Sequence, residues 1–265
     1  MIPPRIPPRI LVIAGSDSSG GAGIQADIKT ITTLGGYAMT AITAVTAQNT
    51  TGVTAVEALS PAMVAAQIDA CLGDIGVDAV KIGMLGSPEI AAAVASRLEG
   101  LSVPIVFDPV MVATSGSVLA DAATIAAFEP LMKLATLTTP NLPELAMLTG
   151  KATGSIEEIA DAAEHLSHRY GCAVLAKGGH SEGTRICDVL IDPAARAVSF
   201  EDERIDTIHT HGTGCTLSSA IATLLGHGQP LEHSVRLARQ YVRKALAAAP
   251  GFGAGHGPMG HQAVR

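Results

Sequence analysis

The run Ile10–Leu34, ILVIAGSDSSGGAGIQADIKTITTL, changes character twice. Ile10–Ala14 is apolar at every position, without the polar alternation of a half-exposed strand. It breaks into Gly15–Gly23, GSDSSGGAG, after which Ile24, Ile28, Ile31 and Leu34 recur at helical spacing. This reads as strand, glycine loop and helix. The alternation returns at Ala79–Ile82 before a Ser87-Pro88 helix start, at Pro104–Phe107 before a polar loop, and at Ala173–Ala176 before Lys-Gly-Gly-His. Apolar strands separated by helices predict an α/β fold whose mostly parallel central sheet carries helices on both faces. Tyr37–Thr46 predicts a further strand leading to Gln48-Asn49-Thr50, and Val189–Ile191 with Val198–Phe200 a hairpin near the sheet edge. Helical spacing resumes from Thr216 through Leu217, Ile221, Leu224 and Leu225, and a last helix is expected from about Leu231 to Ala248. Residues 1–9 read as a short extended arm and 10–265 as a single domain, since no linker or low-complexity block divides them.

Composition narrows the partners. The 265 residues are 48% hydrophobic and only 15% charged, against about 25% charged in an average domain, so much of the chain is expected to be buried. A net charge of −7, 3% aromatic residues and no Trp argue against a nucleic-acid surface. An anionic ligand stays open, because backbone amides at a helix start bind phosphate without net positive charge. Cys71, Cys172, Cys187 and Cys215 form no Cys-x-x-Cys pair, which fits a reducing cytoplasm better than a disulfide framework. No apolar run approaches the ~18 residues of a membrane span, so no membrane partner is expected.

In an open parallel sheet, ligands lie beyond the carboxyl ends of the strands. The polar clusters Gly15–Gly23, Gln48-Asn49, Asp108, Thr139–Glu144, Lys177–His180 and His209–Cys215 all fall there. In His211-Gly-Thr-Gly-Cys215-Thr216 the glycines permit close approach to a ligand, and the free amides of the following helix offer an anion hole; a plain glycine turn is the alternative. At that helix start the dipole is expected to lower the Cys215 thiol pKa, making it a base, whereas Cys71, Cys172 and Cys187 read as small buried hydrophobes. Asn141 and Glu144 stand three residues apart at a helix start, either as a cap or as ligands of a hydrated Mg²⁺, and Asp108 has a similar pair of readings. Lys177, before two glycines, reads as a phosphate contact or an ordinary surface lysine. GSDSSGGAG is not a clean G-x-G-x-x-G, which disfavours a dinucleotide-binding dehydrogenase. His209 and His211 alternate as on a strand face, with capping or packing favoured over metal binding.

Together the clusters resemble the ribokinase superfamily, and within it the hydroxymethylpyrimidine/phosphomethylpyrimidine kinases of thiamine biosynthesis. AGSDSSGGAGIQADIKT (Ala14–Thr30), TAVTAQNTTGV (Thr43–Val53), KIGML (Lys81–Leu85), DPVMVATSG (Asp108–Gly116), TPNLPELAMLTG (Thr139–Gly150), KGGH (Lys177–His180) and HGTGCT (His211–Thr216) occur in family order. The resemblance implies a ribokinase-like fold, ATP as phosphoryl donor, Mg²⁺, and a homodimer. It implies an anion hole of Gly212, Thr213, Gly214 and Cys215, with Cys215 as base beside the substrate hydroxyl. Asp108 and Glu144 would organise Mg²⁺; Asn141, Lys177 and Thr210 would meet the nucleotide; Gly15, Asp27, Gln48, Met84 and Val110 would hold the pyrimidine. Gln48 offers a donor and an acceptor to an aminopyrimidine edge. A pyridoxal kinase on the same scaffold and a non-catalytic nucleotide-binding module are the alternatives. Thr114 departs from a lysine common among relatives, and Gly260 from a frequent asparagine.

Overall fold

Nine strands occur among the residues described by this computed structural model, which are 6–113, 116, 118–180 and 183–264. Residues 1–5 of the expected arm and Thr114 lie outside them. The strands are β1 (Arg9–Asp17), β2 (Tyr37–Asn49), β3 (Gly52–Ala58), β4 (Ala79–Ile82), β5 (Ile105–Phe107), β6 (Leu137–Thr138), β7 (Ala173–Ala176), β8 (Arg185–Ile191) and β9 (Ala197–Glu203). They form one sheet in the order β3-β2-β1-β4-β5-β6-β7-β8-β9. From β2 to β7 the pairing is parallel; β3 joins one side antiparallel, and β8 and β9 the other. The hairpin expected at Val189–Phe200 is thus β8–β9. The helical layers explain the missing alternation in the sequence. Along β1, Leu11 and Ile13 enter one core and Ile10, Val12 and Ala14 the other, all of them buried.

The helices are α1 (Gly23–Thr33), α2 (Pro61–Ala70), α3 (Pro88–Leu98), α4 (Ala122–Ala126), α5 (Glu129–Leu134), α6 (Leu142–Thr149), α7 (Ile156–Tyr170), α8 (Thr213–Gly226) and α9 (Leu231–Ala247). Apolar residues of α2, α3, α5, α6 and α7 pack in the first core, where Phe107 of β5 meets Phe128 edge to face at 5.2 Å. Those of α1, α8 and α9 pack in the second, so helices cover both faces as the sequence implies. The chain leaves β1 through α1 to β2, then returns across the other face to β4 on the opposite side of β1. That reversal opens a crevice at the carboxyl ends of β1 and β4, the place where such sheets bind ligands. The edge strand β3 has no apolar run to announce it: its residues are mostly exposed, and it forms by pairing with β2.

The second face also buries charge. Lys81 of β4 is fully buried, and its ammonium lies 3.0 and 2.9 Å from the two oxygens of Asp27 on α1, itself fully buried. Ser219 of α8 donates to Asp27 Oδ1 at 2.6 Å. Burial works against both charges, yet Asp27, with Cys215 and Asp108, holds the Lys81 ammonium above its ordinary pKa. Asp27 was expected at the pyrimidine. It faces the sheet instead, because α1 turns it towards Lys81, and it is absent from the cavity wall. Lys81→Met leaves a buried carboxylate unpaired and is expected to destabilise the fold by ~3–5 kcal/mol in urea denaturation; adding Asp27→Leu should recover most of that loss.

Candidate active site

A cavity of about 670 Å³ opens at the carboxyl ends of the central strands. The central strands deliver side chains to it at or beyond their ends: Asp17 at the end of β1, Met84 beyond β4, Asp108 after β5, Asn141 beyond β6 and Lys177 after β7. The start of α8 faces them. Gly212 takes φ +83° as the N-cap and lies so close to the carbonyl of Gly21 that a Cβ would overlap it. No side chain caps the helix; the Thr213 amide donates to the Thr210 carbonyl at 3.3 Å, and the next two amides, of Gly214 and Cys215, remain available to an anion. A Cβ built on Gly214 would stand 3.3 Å from both Asp108 Oδ2 and Lys177 Nζ, which places the helix start against the carboxylate and ammonium.

Lys177 is no ordinary surface lysine. Its side chain is mostly buried and donates to Asp108 Oδ1 at 2.8 Å, an oxygen that also accepts from Thr139 Oγ1 at 3.0 Å. Burial alone would lower its pKa; Asp108 and Glu144 reverse that and raise it. Asn141 and Glu144 form a reciprocal cap on α6, with Glu144 Oε2 accepting from the Asn141 amide at 2.8 Å and Asn141 Oδ1 accepting from the Glu144 amide at 2.9 Å. The cap turns both side chains to the cavity, so capping and ligand binding are compatible. Burial pushes the Glu144 carboxyl up to about 7, Lys177 opposing and Asp108 reinforcing the rise.

Cys215 lines the cavity at the first turn of α8, and the Gly23 amide donates to its sulfur. The expected lowering of its pKa is not what the site produces. Burial raises the thiol to about 11; Lys81 opposes the rise while Asp27 and Asp108 add to it. Desolvation of the thiolate thus exceeds what the helix start returns.

Gly15, Gln48, Met84 and Val110 also line the cavity, as do Thr210, Gly212 and Thr213 around the start of α8. All the expected site residues except Asp27 therefore meet in one cavity. Sequence reasoning missed Asp17; the packing reading of His211 holds, but not its placement on a strand. The segment before α8 is not a strand, so the two histidines do not share a face. His209 packs beside Gly257, and His211 is buried, with Nε2 2.8 Å from Asp17 Oδ2. Asp17 also accepts from the amides of Ser19, Gly21 and Ala22 at 2.8, 3.1 and 2.8 Å. Those contacts fold Gly15–Gly23 around one carboxylate. The only sequence hint was Asp17 three residues before the paired glycines, an Asx-turn position. Gly260 also has a packing reason: a Cβ there would overlap the Ala248 carbonyl.

A family model described as phosphomethylpyrimidine kinase matches residues 17–260. The chain belongs to that family. Within it, the chain is 49% identical over 255 residues to the hydroxymethylpyrimidine/phosphomethylpyrimidine kinase of Rhizobium meliloti, covering 95% of this chain and 96% of the relative. It is 48% identical to a bifunctional thiamine biosynthesis protein of Geobacter sulfurreducens, again over 95% of this chain, but spans only about half (52%) of that longer protein. Among solved structures, a phosphomethylpyrimidine kinase of Clostridium difficile superposes with a TM-score of 0.80 at 39% identity, covering 89% of this chain and 98% of that one. An ADP complex of Bacillus subtilis pyridoxal kinase superposes at 0.89 with 32% identity, covering 98% and 99%. The fold is therefore ribokinase-like, and the family is one of phosphotransferases.

The Asp17 contacts predict how this family member responds to acid. Burial pushes the carboxyl up, but hydrogen bonds from His211, Ser19 and Ala22 outweigh it and hold the pKa at about 2, below its ordinary 3.8. A depressed carboxyl stabilises the fold above its unfolded pKa, and the contribution disappears as pH falls through the folded value. The stability of the wild type over Asp17→Asn, roughly 2 kcal/mol near neutrality, is expected to shrink between about pH 4 and 2 when both are unfolded with urea across that range.

Proposed function

We propose that this protein is an ATP- and Mg²⁺-dependent kinase that phosphorylates the 5-hydroxymethyl group of 4-amino-5-hydroxymethyl-2-methylpyrimidine, then its monophosphate to the diphosphate, for thiamine diphosphate biosynthesis. The observation that carries the reading is the convergence, in one cavity, of an α8 start without a side-chain cap, Cys215, the Lys177–Asp108 pair, Gln48 and Met84. Phosphoryl transfer asks mainly for positioning and for charge stabilisation on the moving group. The amides of Gly214 and Cys215 face the oxygens of that group, and Lys177 neutralises charge spreading from it. Gln48 and Met84 hold the ring so that its alcohol points at α8. Cys215 takes the hydroxyl proton. It does so as the thiolate: the thiol, pushed up to about 11 by burial, first gives its own proton to water, and the sulfur then accepts the alcohol proton as the oxygen bonds to phosphorus.

Asp108 and Glu144 suit Mg²⁺. Mg²⁺ is usually held by one or two carboxylates plus substrate phosphates rather than by a protein cage, and no group of three or more metal-binding side chains occurs among the described residues. Both hydrogen bonds to Asp108 fall on Oδ1, leaving Oδ2 turned to the helix start. Bound there, the ion would neutralise the nucleotide phosphates. Among the described residues no helix is long and apolar enough to cross a membrane, and the four cysteines are free, which supports cytoplasmic action. The homodimer rests on family resemblance. The structural likeness to pyridoxal kinases favours pyridoxal as the rival acceptor, but at 32% identity it ranks below the 49% match to the pyrimidine kinase. ADP release measured with the pyrimidine alcohol, its monophosphate and pyridoxal as separate acceptors is expected to be fast for the first two. Cys215→Ala is expected to lower turnover by about 10²-fold or more while nucleotide binding, followed by calorimetry, is retained; unchanged turnover removes Cys215 from the reaction.

A further inference from the structure

Gln48 faces the cavity from a main chain that cannot easily shift. Ser18 Oγ donates to its carbonyl at 2.8 Å, and its amide lies at 2.8 Å from the same hydroxyl. What remains open is which end of the carboxamide is oxygen and which is nitrogen, a choice fixed by neighbours. The structure sets Oε1 3.1 Å from Thr46 Oγ1 and Nε2 3.4 Å from His211 Nε2. Counting hydrogens argues for the reverse. His211 Nε2 sits 2.8 Å from Asp17 Oδ2, an oxygen that also accepts from Ser19, Gly21 and Ala22, so it must carry a hydrogen and donate. A Gln48 Nε2 beside it sets one donor against another. Thr46 Oγ1 also lies 3.1 Å from the Ser16 carbonyl, so its single hydrogen is asked to serve two acceptors. Exchanging the carboxamide ends resolves both conflicts. Thr46 then donates to Ser16 and accepts from Gln48 Nε2, while His211 Nε2–H is shared between Asp17 and Gln48 Oε1.

We propose that the Asp17–His211 pair is a specificity-determining device: it locks the Gln48 carbonyl towards α8 and its NH₂ towards β2, and so fixes the order of acceptor and donor shown to a substrate edge. This deepens the kinase reading and rests on it for the substrate. A 4-aminopyrimidine presents a donating NH₂ beside an accepting ring nitrogen. Its 4-oxo counterpart presents an acceptor beside a ring N–H, the opposite order. A fixed carboxamide matches one order and opposes the other, and a site with a committed hydrogen-bond pattern rejects a mismatch because its polar groups are left unpaired. Asp17 and His211 act through Gln48 and are positioning residues.

The test compares kcat and KM for the 4-amino and 4-oxo hydroxymethylpyrimidines. His211→Phe is expected to lower the amino-over-oxo preference at least about tenfold, the worth of one hydrogen bond, chiefly through KM. In a Gln48→Glu background both ends accept, orientation carries no information, and the same change should move the preference less than about twofold. An unchanged preference in the single variant, or an equal fall in both backgrounds, overturns the proposal. If His211→Phe does not fold, ¹⁵N chemical shifts of the His211 ring in the wild type decide the matter: a protonated Nε2 is expected, and a bare Nε2 refutes the lock. If the wild type phosphorylates neither pyrimidine, the kinase reading fails, while the ring shifts still test the orientation of Gln48.

Discussion

Gly212 lies against the carbonyl of Gly21 only because it has no Cβ and takes φ +83°. That contact joins the loop after β1 to the start of α8, segments almost two hundred residues apart in the chain. The site's other geometry follows from it. With the two backbones in contact, the Gly23 amide reaches the Cys215 sulfur, His211 reaches Asp17, and Gly214 comes to rest over Asp108 and Lys177. Neither segment forms the site alone: in the proposed reaction the loop would hold the acceptor side and the helix start the phosphoryl side. A side chain at Gly212 would separate them.

Electrostatics divides along the same seam. Beneath the helix start, the Lys81–Asp27 pair and Ser219 form a buried polar layer without access to the cavity. Above it, Lys177 and Asp108 pair within the wall, and Glu144 rises towards neutrality through burial. The charges of the site are thus largely balanced within it. A nucleotide brings phosphate charge into this balance, where the Gly214 and Cys215 amides have no partner among the described residues and Lys177 is already in reach. The protein as a whole is acidic, with a net charge of −7, so attraction for the nucleotide is local rather than a property of the surface.

The strands whose residues are buried on both faces were readable from composition alone, because β1, β4, β5 and β7 have no polar alternation to confuse their period. The two-residue β6 and the exposed β3 were not, since each depends on neighbours for its pairing rather than on its own pattern. The site residues read from motifs met in the cavity because each follows the end of a strand or opens a helix. Asp27 did not. Sequence places it one turn into α1, but the direction of its side chain depends on a buried lysine many residues away. The Cys215 pKa failed for a related reason: helix position is legible locally, whereas the burial that opposes it is assembled by α1, β4 and α8 together. The packing role of His211 was legible, but its partner Asp17 was not, because it lies at the other end of the chain.

The account depends on the α8 start receiving the phosphoryl group. Its most direct test is the backbone amide spectrum of the isotopically labelled protein with ADP, Mg²⁺ and aluminium fluoride, a mimic of the phosphoryl group in transfer. The Gly214 and Cys215 amide protons are expected to move strongly downfield as they hydrogen-bond to fluoride. Unmoved Gly214 and Cys215 signals, with the large shifts confined to Gly15–Gly23, would contradict it.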